Sequence, residues 1–303
     1  MVGVFSRSLS FPNKIPSRPS PKPRISRHIR SISLPCRSHP LISQIKDDII
    51  RLTSWSSTSK LHPQTTTNLC HSLSLLAQLH STLQDIFQLP HTQESLRRQP
   101  RWVEHLLEDF LLFVDVHGIF QSSVLALKEQ HSAAQMAVRK RDHSKVILYV
   151  RARKRMAREM EKLASKIRCV EHNYGVTTTT TLVPVGDAEL AGVIVDVIRV
   201  TACVSVALFS GIGSSLASRK LSWGQLVKLS RKGRSERSEQ EGIKELRVES
   251  LCSLKKKGDE EVRSALKRMR DLEGSISLIE TVSDRVFRAL INSQVALLNT
   301  RAH

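Results

Sequence analysis

The sequence predicts an all-α fold, an elongated bundle of about five or six helices that follows a disordered basic N-terminal tail. Only 4% of the 303 residues are aromatic, and the chain contains 12 Gly and 11 Pro. This composition argues against a sandwich or barrel of aromatic and β-branched strands. Long segments instead carry apolar residues at three- and four-residue steps, which is the period of an amphipathic helix.

The N-terminal tail is predicted to cover residues 1–37. The first 40 residues contain eight Lys or Arg and no acid, with many Ser and Pro between them. A segment this polar does not bury a core, which indicates disorder. The same Ser- and Arg-rich composition is typical of an organelle transit peptide, so a flexible tail, a cleaved targeting segment and a nuclear or anionic-surface address all stay open.

Three helices and one short turn are predicted before residue 140. The first helix follows Pro40, and the second begins at the capping hydroxyls of Thr65–Thr67 and ends at Pro90. A single turn is expected around Thr92. The apolar stripe over residues 103–131 then predicts a long central core helix.

A helix with a coiled-coil seam is predicted over residues 143–173. Apolar residues repeat there at seven-residue spacing, with two more between them, and Arg153 interrupts the seam near its start. The seam consists of Tyr149, Met156, Met160, Leu163, Ile167 and Val170. The helix is therefore expected to pack along a neighbour.

The second half of the chain is predicted to contain two more helices and two connections. A linker near residues 174–187 has five consecutive Thr and a Pro, and a charged loop near residues 218–258 is rich in Ser, Lys, Arg and Glu. Between them, residues 187–216 keep helical spacing for longer than strands usually run. The last helix begins at Asp259, so one helical domain is expected over residues 38–303.

The positive charge is concentrated in particular segments. The formal net charge is +19, and residues 139–168 alone hold twelve Lys or Arg against three acids. The favoured interpretation is an ordinary solvated face, and the alternatives are that the basic helix attracts anionic lipid or nucleic acid. Few aromatic side chains lie nearby for base stacking, which makes nucleic acid the weaker alternative. The candidate anionic-partner surface comprises Arg139, Lys140, Arg141, Arg151, Arg153, Lys154, Arg155 and Arg158.

An uncharged stretch over residues 200–218 has about the length that crosses a bilayer. Eight of its nineteen residues are polar or glycine, which favours a buried core helix over a membrane-inserted or interfacial segment. The membrane interpretation stays open as the alternative.

Catalytic and cofactor-binding motifs are missing from the sequence. Gly211 and Gly213 begin like a dinucleotide loop, but Leu216 stands where a third small residue is required. The five Cys form no C-x-x-C pair, and no metal-ligand spacing occurs. His117 and His131 lie on the apolar stripe of the central helix and are expected to be hydrogen-bonded core residues. The sequence predicts a non-enzymatic protein without cofactor, metal or small-molecule substrate.

Three collinear stretches resemble a plant-specific family, the BYPASS-like proteins. They are RSISLPCRSHP at residues 30–40, LPHTQESLRRQPRWVEHLLEDFLLFVDVHG at 89–118 and LEGSISLIETVSDRVFRALINSQVALLN at 272–299. Cys36 stands where serine is commoner in the family, and His117 where cysteine is commoner. The resemblance implies a helical plant protein linked to root and shoot development, in a family without assigned catalytic residues or cofactor.

The first of these stretches contains two candidate phosphorylation sites, Ser31 and Ser33. Arg27 and Arg30 lie upstream of them, and phosphorylation would replace positive charge with negative charge. The alternative is that Ile32 and Leu34 pack the chain entry against the first helices.

These observations predict an interaction or regulatory module whose protein partners the sequence does not name. The alternative is a peripheral membrane protein that binds anionic lipid through its basic helix and the 200–218 stretch. The scattered cysteines and the lack of a secretory apolar core favour an intracellular protein, cytoplasmic in the first place. Membrane association and organelle targeting are the other locations considered.

Overall fold

The computed structural model describes residues 39–59, 65–175, 188–217 and 258–302. These residues form seven α-helices and no strand, which confirms the all-α prediction. The helices are α1 (Pro40–Ser59), α2 (Thr66–Gln88), α3 (Pro90–Arg97), α4 (Pro100–Arg139), α5 (His143–Gly175), α6 (Ala188–Leu216) and α7 (Asp259–Ala302). The predicted tail, most of the linker near 174–187 and nearly all of the loop near 218–258 lie outside the described residues.

Capping residues and prolines set the boundaries of the first helices. The Thr65 side chain accepts a hydrogen bond from the backbone N–H of Asn68 at the start of α2. Pro90 and Pro100 stand at the first positions of α3 and α4, where the missing N–H would have no partner within the helix. The turn predicted around Thr92 is therefore a separate helix of eight residues.

The bundle is built by two groups of contacts between long helices. α4 packs against α5 on one side and α7 on the other, and α7 also packs along α2. α6 contacts α5, α1 and α2, and α1 contacts α2 as well. Aromatic rings cross the interior, with Phe120 of α4 5.3 Å from Phe209 of α6 between ring centroids. One continuous apolar core results.

The α5 seam faces the core as the heptad spacing predicts. All six seam residues are buried, and none is more than 6% exposed. Its neighbour α6 approaches closely because Gly213 has no side chain. A Cβ at this position would lie 3.3 Å from the carbonyl oxygen of Ala157 and 3.4 Å from the Cβ of Met160.

The corner between α4 and α5 contains the one non-glycine residue with a positive φ among the described residues. Arg141 has a φ of 55°. The N–H of Arg141 donates to the Val138 carbonyl, and the N–H of Asp142 donates to the Ala137 carbonyl. This is the Schellman arrangement that ends a helix, with Arg in the place where Gly is usual. The corner turns α5 back along α4 and so positions the surface described next.

Candidate functional site

The structure separates the predicted anionic-partner residues into three groups. Arg139, Lys140 and Arg141 lie exposed at the α4–α5 corner, and Arg141 forms an ion pair with Asp259 at the start of α7. Arg153 lies inside the bundle. The other four predicted residues are exposed on α5: Arg151, Lys154, Arg155 and Arg158.

Arg153 does not belong to the predicted surface. It is only 3% exposed, its guanidinium carbon lies 5.9 Å from the centre of the Tyr149 ring, and its Nη2 donates to the Ser215 carbonyl at 3.3 Å. Its position follows from the heptad, because residue 153 points to the same side of α5 as the seam. The cation therefore links α5 to the end of α6.

Five of the exposed cations of α5 form a single line, which we call the α5 stripe: Arg151, Lys154, Arg155, Arg158 and Lys162. Their spacing of three, four, seven and eleven residues from the first puts them on one side of the helix. At 1.5 Å per residue the stripe is about 16 Å long. Lys162 was missing from the sequence-based set, although its spacing from Arg151 and Arg158 was a usable signal.

No member of the α5 stripe has an ion-pair partner among the described residues. Other cations of α5 do have one: Lys145 pairs with Asp142, Lys166 with Asp115 and Arg168 with Glu161. Glu159, beside the stripe, accepts a hydrogen bond from Ser123 instead. The stripe is therefore a strip of positive charge that the described fold does not neutralise.

A groove runs beside the stripe, between α4 and α5, and we call it the α4–α5 groove. It consists of two adjoining open hollows of about 720 and 300 Å³ that share Gln130, Ala152 and Arg155 in their linings. Arg151 and Arg158 line the larger hollow together with the exposed Leu148. The arrangement combines apolar surface with cations and suits an anionic group attached to an apolar body.

Three histidines of the interior, His80, His117 and His131, are closed off from solvent. His80 Nε2 lies 3.0 Å from Thr201 Oγ1, and His117 Nε2 lies 2.9 Å from Ser205 Oγ. Burial lowers the pKa of His80 to about 3, helped by the neighbouring His117, and it lowers the pKa of His117 to about 4. Both histidines are therefore neutral at physiological pH.

His131 occupies a third buried polar position. Its Nε2 donates to the Met269 carbonyl at 2.8 Å, which leaves Nδ1 to accept the Tyr149 hydroxyl proton at 2.6 Å. Burial raises the pKa of Tyr149 to about 12 and lowers that of His131. His117 and His131 are hydrogen-bonded core residues, as the sequence indicated, and no cluster of three or more potential metal ligands occurs among the described residues.

Among the helices that the structure describes, α4 and α6 have the length and composition that crossing a membrane requires. The most apolar window of α6 is 67% buried inside the bundle. Val204, Leu208 and Phe209, from the uncharged 200–218 stretch, are completely buried. In this fold residues 200–216 of the stretch belong to a core helix, so α6 contributes packing surface and α5 contributes the exposed charge.

The candidate phosphorylation sites Ser31 and Ser33 lie outside the described residues. Their modification and the role of the basic tail stay predictions.

Fold and site together define a class of protein, an all-helical bundle with a basic outer groove and neutral, buried histidines. The family model for protein BPS1 matches residues 72–300. The chain therefore belongs to this family, which agrees with its resemblance to the BYPASS-like proteins. The family is a domain of unknown function and not a known enzyme family. Comparison with curated proteins and with solved structures gave no match.

Proposed function

We propose that this protein is a non-enzymatic interaction module that binds an anionic partner through the α5 stripe and acts in plant root and shoot development. The developmental context is the one that the family resemblance implies. The single observation that carries the interaction proposal is the stripe itself, with five cations on one helix face and no ion-pair partner for them among the described residues.

The electrostatics of the stripe support this proposal. An exposed ion pair contributes only about 0.2–1 kcal/mol, so a single cation does not define a binding site. Five cations on one line act on the same anionic surface, and together they raise both the association rate and the selectivity for negative charge. The contacts are solvent-exposed, so binding should weaken as salt is added.

A second candidate function is peripheral binding to anionic lipid. The same stripe supports it, because a basic residue near an anionic membrane surface contributes about 1 kcal/mol. The exposed Leu148 beside the stripe adds apolar contact. The burial of α6 argues against insertion of the 200–218 stretch while the bundle is intact. Among the described residues, lipid binding would then depend on α5.

The test compares two variants of the full-length protein that lose the same charge. One variant replaces Arg151, Lys154 and Arg158 of α5 by Gln. The matched control replaces three exposed residues of α7 by Gln: Lys267, Arg268 and Arg270. Binding of fluorescent polyglutamate is measured by anisotropy at low salt, and binding to phosphatidylserine-containing vesicles is measured by flotation.

The proposal expects the α5 variant to lose affinity for polyglutamate by about tenfold, while the control stays near the wild type. Equal losses in both variants would mean that only net charge and the basic tail matter. Lipid binding is the better description if flotation, and not polyglutamate binding, is lost in the α5 variant.

A further inference from the structure

We infer that the α4–α5 groove receives an acidic amphipathic helix of a partner protein. This inference rests on the proposed function and names the class of partner that the α5 stripe would attract. It adds a requirement for shape, because an amphipathic helix must fit into the groove and must also carry acidic side chains that complement the positive charge of the groove.

The groove has the length of a helix. Its α4 wall extends over residues 119–134 and its α5 wall over residues 145–159. At 1.5 Å per residue both walls are about 22 Å long, which is the length of a four-turn helix. The two hollows are adjoining and open along this distance, so one continuous element can occupy both.

The α4 wall allows a helix to approach closely. Ser122, Ala126 and Ala133 line it at intervals of four and seven residues, which is one side of α4, and all three are exposed. Their side chains are too short to fill the space between the helices. Leu148 on the opposite wall is 59% exposed and offers an apolar contact. Helices dock into grooves of this kind through an apolar face.

The charge of the groove specifies acidic flanks on that helix. Arg151, Arg155 and Arg158, which have no ion-pair partner among the described residues, contribute to the larger hollow together with Lys145, which pairs with Asp142, and its lining contains no acid. The one carboxylate of the smaller hollow, on Glu159, already accepts a hydrogen bond from Ser123. Glu or Asp side chains beside the apolar face of a docked helix would reach these cations.

Other occupants satisfy fewer of these features. A bilayer is flat and would contact the projecting cations while leaving the recessed Ala126 and Ala133 uncovered. The segment of this chain at residues 218–257 has twelve Lys or Arg against five Glu and so carries the same sign as the groove. Charge complementarity therefore favours a separate, acidic chain.

The experiment uses two synthetic peptides of about 18 residues, a length matched to the groove. One places Leu at positions i, i+3, i+4 and i+7 with Glu on the flanks, and the other is a scramble of identical charge without an apolar face. Peptide binding is measured for three full-length proteins: the wild type, a double variant and a control. The double variant combines Ala126→Trp and Ala133→Trp, which obstruct the groove, and the control carries Ser264→Trp at an exposed position of α7. Thermal melting of each variant verifies that it is folded.

The inference expects the amphipathic peptide to bind more tightly than its scramble. The Ala126→Trp and Ala133→Trp pair should weaken it by more than about tenfold, whereas Ser264→Trp should not. If both peptides and polyglutamate bind equally and Trp has no effect, the groove inference is wrong while the proposed function stands. If no anionic probe binds, both are wrong. Unchanged peptide binding with vesicle binding strengthened by Trp would identify a membrane as the occupant.

Discussion

Replacing His117 by Gln should make the folded protein less sensitive to acid. The His117 ring is fully buried and its Nε2 bonds to Ser205, while its Nδ1 has no hydrogen-bond partner among the described residues. The proton is therefore on Nε2, since an unpaired lone pair costs less than an unpaired N–H group. Adding a second proton at Nδ1 would create a charge that no described group stabilises.

The size of the effect follows from the two pKa values. The pKa is 6.5 in the unfolded chain and about 4 in the folded protein, so the unfolded state takes up the proton first as the pH falls. The contribution of His117 to stability is complete above about pH 7.5, and about 2 kcal/mol of it is lost by pH 5. The loss continues until the pH reaches the folded pKa.

The assay is urea unfolding of the wild type and of His117→Gln at about pH 7.5 and about pH 5. The variant is expected to be less stable at the higher pH, because Gln packs less well than the ring. Its disadvantage should shrink by about 2 kcal/mol at the lower pH. Comparing the two proteins cancels the acid effects of groups that do not interact with His117, such as Asp48, whereas the smaller charge coupling between His117 and His80 is removed together with the ring. Parallel stability changes in the two proteins would refute the argument.

Three further predictions test the packing of α5 and α6. Met160→Asp places an unpaired charge at a completely buried position of the seam and should lower the free energy of unfolding by more than about 3 kcal/mol. Met160→Leu keeps the position apolar and should lower it by less than about 1.5 kcal/mol. Thermal melts of both variants measure the difference. Tyr149→Phe removes the hydroxyl that donates to His131 and should lower the free energy of unfolding in urea by about 1–3 kcal/mol. An unchanged free energy of unfolding would mean that this hydrogen bond does not stabilise the fold. Gly211→Ala should stabilise α6 by up to about 1 kcal/mol, because nothing lies within 4 Å of the new Cβ. Gly213→Ala should not stabilise the protein, because its Cβ would press against Ala157 and Met160 of α5. Equal effects of the two substitutions would contradict the close packing of α6 on α5 at Gly213.

Helix identity was predictable because the apolar period is strong and the prolines are well placed. The exact seam of α5 follows from heptad spacing alone, and its members are all buried. The Val- and Ile-rich segment that became α6 was ambiguous in composition but not in period. The short helix α3 was predicted only as a single turn around Thr92, because Pro90 was interpreted as the end of one helix and also begins the next.

The buried polar contacts were only partly predictable. The positions of His117 and His131 on an apolar stripe indicated burial, but their partners come from other helices and are far away in sequence. Ser205 is 88 residues from His117, and Met269 is 138 residues from His131. A sequence gives the side of a helix on which a residue lies, but the pairing depends on how the helices pack.

The candidate site was also predicted only in part from the sequence. Clustering of basic residues identified α5, but the sequence did not separate Arg153, which faces the core, from its exposed neighbours. The angular position of residue 153 on α5, which is on the same side as the seam, explains why Arg153 is buried while its basic neighbours are exposed. The α4–α5 groove needed the structure, because only the packing of the two helices brings the short side chains of α4 beside the cations of α5.

Complementation in a plant that lacks this protein tests the central claim most directly. The claim is that the protein acts through the α5 stripe. The wild type and the α7 control variant should restore root and shoot development, whereas the variant with Arg151, Lys154 and Arg158 replaced by Gln should accumulate to the same level and fail to do so. Full restoration by that α5 variant would contradict the account.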